Sequence, residues 1–282
     1  MKCLKRMIPE LILSIGLIFM VSCSDSSTNS TQQGKAPEFP PVKSMAMDFS
    51  IFASGQSDSS AAGNHDNYEA AASSISTVQT MMSRNVNLTL DLLEQADTAK
   101  AEEIGDTKWQ WQFTNEENEE QVGRAIIRKF RLVAERQSDD QLQWDLFLSS
   151  PVLQSNGEKH YLSGTSNNAV TEGIWTYYGF GRAGQTSQAW ATLDWEMDND
   201  KNVEIELEIL ANSSFSGSKI DYSTEGPVRI IVLNNSTEDA DVTIKFNSET
   251  KAGFIKSPNY NNGNKACWNG DFENVDCSEV TL

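Results

Sequence analysis

The chain has 282 residues with 40 acidic against 22 basic side chains, a net charge of −18 and only two histidines. Such a polyanion is repelled by phosphate backbones and by anionic lipid surfaces, which argues against nucleic-acid binding and against electrostatic docking of the folded part on a membrane. At 38% hydrophobic residues the chain still holds enough apolar material for one sizeable core.

Lys2, Lys5 and Arg6 precede an apolar stretch, 11–21, that is short for a membrane-spanning helix and reads as an export signal. It ends in Met20, Val21, Ser22 and Cys23. Here the chain resembles the lipobox of bacterial lipoproteins, where a small residue precedes a cysteine that receives diacylglycerol before cleavage. The resemblance covers residues 1–23. It implies a signal peptide over 1–22, lipid on Cys23, and a place in the bacterial cell envelope, with the outer membrane as the expected site. Each buried acyl methylene would contribute about 0.8 kcal/mol to membrane attachment. Losing 1–22, with three basic residues and one acid, would leave a net charge of about −20.

Residues 24–42 are rich in Ser, Thr, Gln and Asn with almost nothing to bury, so 23–43 reads as a tether and 44–282 as one domain. Met45, Met47, Phe49 and Ile51 alternate with smaller or polar residues, which suits a short strand, or failing that a short helix. After a polar stretch, 53–67, apolar residues from Tyr68 to Leu93 recur every three or four positions and predict one long amphipathic helix over about 67–96. Asp66 and Glu69 stand at capping-box spacing at its start. This stripe is expected to pack on the domain's own sheet.

Beyond Gly105 the period changes from 3.6 to 2. Eleven strands are predicted: 109–113, 130–134, 142–148, 160–164, 173–178, 189–197, 203–209, 219–222, 228–233, 242–246 and 253–256. Connections this short leave no room for crossover helices, so the strands should form an antiparallel meander. Glu204, Glu206 and Glu208 alternate with Val203, Ile205, Leu207 and Ile209, giving one apolar and one carboxylate face. The expected fold class is therefore mainly β: a curved sheet or partly open β-barrel with the helix against or inside it, and a two-sheet sandwich as the alternative.

Two of the four cysteines, Cys3 and Cys23, belong to the export region; the remaining Cys267 and Cys277 suggest a disulfide in an exported chain. A metal site there would have only carboxylates for company.

Chemistry-bearing motifs are weak. Asp198, Asn199, Asp200 and Asn202 spell the first half of a calcium loop, but Val203 stands where glycine should be and Ile209 where the closing glutamate should be; a hairpin turn is expected. His65 and His160 have no sequence-adjacent nucleophile motif, and Ser216 with Lys219 matches a Ser-x-x-Lys spelling that should begin a helix, whereas a strand is predicted there. Glu172 and Asp194 illustrate a carboxylate pair of the glycosidase kind without any spacing that selects them. Aromatics are the remaining signal. Trp175, Trp190 and Trp195 are the candidate ligand-binding rings, with Trp190 and Trp195 expected on opposite faces of a regular strand, although cross-strand packing also uses such rings.

Lipobox, tether, helix, tryptophan-bearing meander and terminal cysteine pair together resemble the β-rich lipoproteins of bacterial cell envelopes. That resemblance concerns architecture and is silent on activity; the function expected beside it is a non-enzymatic binding or structural protein, held to a membrane by its lipid, without a cofactor, whose curved sheet and helix offer a pocket for an apolar or glycan ligand. Two alternatives stand beside it: a carrier or receptor for acyl chains, by analogy with envelope lipoproteins that cover a curved sheet with helices, and a carboxylate-dependent glycan hydrolase.

Overall fold

The computed structural model describes residues 34–54, 64–82, 86–97, 99–114, 129–138, 140–149, 158–178, 188–210, 214–236 and 240–282. The signal-peptide, lipobox and Cys23 readings lie outside these residues. Among them, no helix is long and apolar enough to cross a membrane.

Among the described residues, fourteen strands form one antiparallel sheet in which each pairs only with its neighbours in sequence: β1 (Glu102–Gly105), β2 (Lys108–Phe113), β3 (Lys129–Ser138), β4 (Gln141–Ser149), β5 (Lys159–Asn167), β6 (Glu172–Tyr178), β7 (Ala189–Met197), β8 (Val203–Ile209), β9 (Lys219–Glu225), β10 (Val228–Asn235), β11 (Ala240–Asn247), β12 (Gly253–Ser257), β13 (Tyr260–Trp268) and β14 (Asn274–Val275). The eleven predicted strands are β2 to β12. The three missed ones are edge or near-edge strands whose residues lack a clean apolar alternation: all of β1 is exposed, and the first six residues of β13 are polar, glycine or Tyr260.

The sheet is open, as one of the expected forms has it, and is not closed into a β-barrel: among the described residues β1 and β14 are its two edges and do not pair. Closure would bury one face. Here helices and an N-terminal segment cover that face instead. Both edges are unsuited to further pairing, since β1 carries Glu102 and Glu103 and β14 has two residues.

The predicted single helix is two, α2 (Asp66–Met82) and α3 (Val86–Asp97), preceded by α1 (Ser50–Ser54). The apolar stripe is real: Tyr68, Ala71, Ile75, Val78 and Met82 are buried in α2, as are Val86, Leu93 and Ala96 in α3. Division lets the stripe serve two distant parts of the sheet. α2 packs against β12, β13 and β14, whereas α3 packs against β2 and its Thr89 hydroxyl bonds to that of Tyr161 on β5.

The start of α2 is also not the local capping box predicted from Asp66 and Glu69. Asn64 Oδ1 accepts from the Asp66 N–H (3.2 Å), and Asn274 Oδ1, from β14, accepts from the Asn67 N–H (3.0 Å). Asn67 in turn donates to the Cys267 carbonyl and accepts from the Tyr260 hydroxyl, each at 2.8 Å. One of the two capping acceptors therefore comes from 207 residues away, where local pattern reading has no access. Cys267 and Cys277 form the expected disulfide, tying β13 to the chain end that provides Asn274.

Residues 36–54 form a strap across the inner face of the sheet. Phe39 meets Trp111 edge-on (4.8 Å between centroids) and lies 6.0 Å from Trp144; a 3-10 turn, Val42–Ser44, crosses β7 and β8; Asp48 faces Arg229 on β10 (3.7 Å); Phe52 lies against Phe246 and Trp268. Residues 36–43, assigned to the tether by composition, thus belong to the folded body: Ala36, Phe39 and Val42 pack on the core. The strand expected around Met45 to Ile51 does not form and the short helix, its alternative, begins only at Ser50 as α1; the alternation is kept over the extended part, with Met45, Met47 and Phe49 buried, and Ile51 is buried in α1. Period 2 marks an extended chain with one buried side. This one lies on a sheet face and joins no ladder.

Candidate functional site

The inner face is built from register. Trp109, Ala134, Trp144, Gly164, Trp175, Leu193 and Leu207 stand directly opposite one another on successive strands, so bulky and small residues alternate across the first five. Gly164 lies between two indoles because a Cβ there would strike the Ile174 carbonyl and the Trp175 ring. Gly173 is opposite Trp195, and Gly253 opposite Trp268, in the same relation. Indoles lie flat over glycines and the face becomes a dense core.

The candidate ligand-binding tryptophans belong to this core. Trp175 has 0% of its surface exposed and Trp195 2%. Trp190 is half-buried against the same cluster. The expectation that Trp190 and Trp195 point to opposite faces assumed a regular strand; the register instead steps from Tyr177–Ala191 to Tyr178–Ala189, so Trp190 is the extra residue of a bulge. A similar step beside Leu146 leaves Tyr161 and Leu162 both buried. Burial pushes the Tyr161 and Tyr177 hydroxyls far above the ordinary phenol range, so both are neutral. Trp144 donates to Ser166 Oγ (2.9 Å), while Trp175 Nε1, Tyr177 OH and Trp195 Nε1 are buried without a partner among the described residues.

The outer face carries the groups that meet water. On it Arg131, Phe147, His160 and Tyr178 stack in a row across β3 to β6: the guanidinium lies 4.3 Å from the Phe147 centroid, and both following ring pairs are 5.0 Å apart and near parallel. Glu158 takes Arg131 with both oxygens (Nε at 3.0 and 2.9 Å), and Asp145 Oδ1 holds His160 Nε2 at 2.8 Å. Sequence reading discounted His160; its partners Asp145, Phe147 and Tyr178 come from β4 and β6, and only register joins them. The Phe147 and His160 rings are each held between two neighbours of the row, so the row braces a sheet face that no helix among the described residues covers.

Next to it, one cross-strand row reads Ile174, Asp194, Glu206, Asp221, Val232, Thr243, Lys256 and Lys265. The neighbouring row reads Glu172, Glu196, Glu204, Ser223, Ile230, Lys245 and Phe254. The outer face is therefore acidic over β6 to β9, apolar at Ile230 and Val232 on β10, and basic over β11 to β13. Partial burial first, and then Glu206, hold the Asp194 and Asp221 carboxyls above the ordinary carboxylate range. Lys219 reaches Glu206 (3.2 Å) and Glu208 (3.5 Å). It opens β9, so the Ser216 and Lys219 spelling begins a strand as expected.

The structure brings Glu172 and Asp194 onto neighbouring strands of this outer face. The calcium-like segment is a turn: Asp198 Oδ1 accepts from the N–H groups of Asp200 (2.8 Å) and Asn202 (2.9 Å), satisfying the carboxylate locally. Among the described residues no group of three or more His, Cys, Asp and Glu side chains is arranged to hold a metal ion. His65 Nδ1 lies 3.0 Å from the Phe272 carbonyl and helps dock the C-terminal segment. Beside it a polar cleft of about 580 Å³ runs between Asn67, Tyr260, Lys265 and the disulfide.

Comparison with known protein families, with curated proteins and with solved structures finds no match for this chain.

Proposed function

We propose that the chain is a lipid-anchored bacterial envelope protein, attached through Cys23 at the outer membrane, whose folded part is a non-enzymatic binding or structural module. The anchor rests on the lipobox residues Met20 to Cys23 and the basic and apolar segments before them. The module reading rests on one observation: the aromatic face, the natural place for a stacked ligand, is spent on packing under the strap and helices. What remains to meet other molecules is a broad polar sheet face. The carboxylates Glu172, Asp194 and Glu206 lie side by side on one sheet face, whereas hydrolysis of a glycan calls for two acids placed across a bound sugar. Labelling cells with radioactive palmitate tests the anchor. Label and membrane fractionation should both be lost in Cys23→Ser, and their persistence would refute it.

Carriage of acyl chains is a second reading, favoured by the unpartnered Trp175 Nε1, Tyr177 OH and Trp195 Nε1 under a strap that shares no backbone ladder with the sheet. An amphiphile with a hydrogen-bond-accepting head would satisfy those donors if it took the strap's place. Titration with a fluorescent fatty acid decides: saturable binding, weakened in Tyr177→Phe, supports carriage, and the absence of binding removes it.

A further inference from the structure

We propose that the outer sheet faces of two copies of this chain pack together about a two-fold axis running along β10. A closed pair of identical chains needs a self-complementary surface, because whatever one copy presents on one side of the axis must match what the other presents there. The outer face has that arrangement. β10 places the apolar Ile230 and Val232 at the centre, half-buried and on the solvent side. Carboxylates fill the strands to one side and lysines those to the other.

Rotation about an axis parallel to β10 keeps each cross-strand row at its own height and lays β9 of one copy over β11 of the other, β8 over β12 and β7 over β13. In the row through Val232, Glu206 then falls on the second copy's Lys256 and Asp194 on its Lys265, while the two Val232 side chains meet at the axis. In the row through Asn234, Lys219 falls on Asp241, reversing the sign of the charges on both sides together, and in the row through Ile230 the two Ile230 side chains meet while Lys245 falls on Ser223 and Glu204 on Phe254. Lys256 and Lys265 stand directly opposite each other, an unfavourable pairing within one copy that an acidic partner relieves. Packed sheets lie about 10 Å apart and keep their strands within roughly 30°, so matching strands and rows near the axis remain in register. An axis along the strands also leaves equivalent ends of both copies pointing the same way, as two chains held in one membrane require; the pairing itself does not depend on the anchor.

Single cysteines in the full chain, treated with a short bismaleimide and compared with the unsubstituted chain, test this. Val232→Cys should give a crosslinked homodimer. Ile174→Cys, in the same row and 46% exposed, should not, because four strands separate it from the axis and its two copies would lie about 38 Å apart. Sedimentation should show Lys256→Glu raising the dimer dissociation constant about tenfold or more, and Glu206→Lys together with Lys256→Glu restoring it. The proposal is overturned if Val232→Cys stays uncrosslinked, if it crosslinks no better than Ile174→Cys, or if it crosslinks to a different protein. It is equally overturned if charge reversal leaves association unchanged or the double variant associates no better than the single one.

Discussion

Gly164→Ala should be among the most damaging single-methyl additions to this protein. A Cβ at 164 meets the Ile174 carbonyl oxygen and the six-membered ring of Trp175, with Cδ2 at 3.0 Å. Neither neighbour can yield easily: Ile174 is held in the ladder between β5 and β7, and Trp175 is fully buried 6.4 Å from Trp144. Overpacking of a dense core typically costs about 1–3 kcal/mol, and the rigidity of both neighbours puts this site near about 3 kcal/mol. For a domain of this size that lowers Tm by roughly 6–12 °C. Urea unfolding followed by tryptophan fluorescence measures it. Gly105→Ala is the comparison, because its Cβ meets only Lys108 Cβ at an ordinary 3.5 Å, and it should stay within about 0.5 kcal/mol of the native chain. Trp175→Leu should cost less in the Gly164→Ala background than alone, with a coupling of about 1 kcal/mol or more. A Gly164→Ala variant as stable as Gly105→Ala, or additive effects in the double variant, would refute the account of the inner face.

Phe39→Ala should destabilise by about 2 kcal/mol by the same urea assay, since Phe39 packs on Trp111 and Trp144, whereas a free tether would show no change. Cys277→Ser should cost about 2–3 kcal/mol and speed hydrogen exchange at the Asn67 amide, because the disulfide steadies the segment carrying Asn274. The raised Asp194 and Asp221 carboxyls bind protons more tightly folded than unfolded. Their contribution is therefore greatest below the ordinary carboxylate range and is lost as pH rises through the raised values. In dilute solution, urea midpoints should rise as pH falls from neutrality into the raised carboxylate range, and Asp221→Asn should raise the midpoint at pH 7 and flatten that rise.

Sequence period carried most of the sheet because a one-sided sheet writes its burial directly into alternate positions: Leu142, Trp144, Leu146 and Leu148 are buried in β4 as their spacing says. Period did not reveal which alternate residues share a row. Bulges at Trp190 and beside Leu146 shift the phase between strands, and loops of unequal length hide the register that sets Asp145 beside His160 or Glu206 beside Asp221. The strap was half-visible, since alternation marked Met45 to Ile51 as extended and one-sided, yet nothing local distinguishes an extended segment inside a ladder from one laid over it. The cap of α2 was invisible for a related reason: Asn274 is remote in sequence, and the nearer Asp66 and Glu69 offered a familiar local substitute.

A meander whose strands pair only with their sequence neighbours resembles a repeat array energetically, since each hairpin could open while distant ones stayed intact. The strap changes that. Its contacts begin at Trp111 on β2 and end at Trp268 on β13, so losing it uncovers apolar surface on both flanks and in the middle. α2 and α3 add a second bridge between the same flanks, and the disulfide segment fastens the start of α2 to β13. Cooperativity across the fourteen described strands therefore comes from the inner layer, and among the described residues no helix covers the outer face, where the charge rows lie.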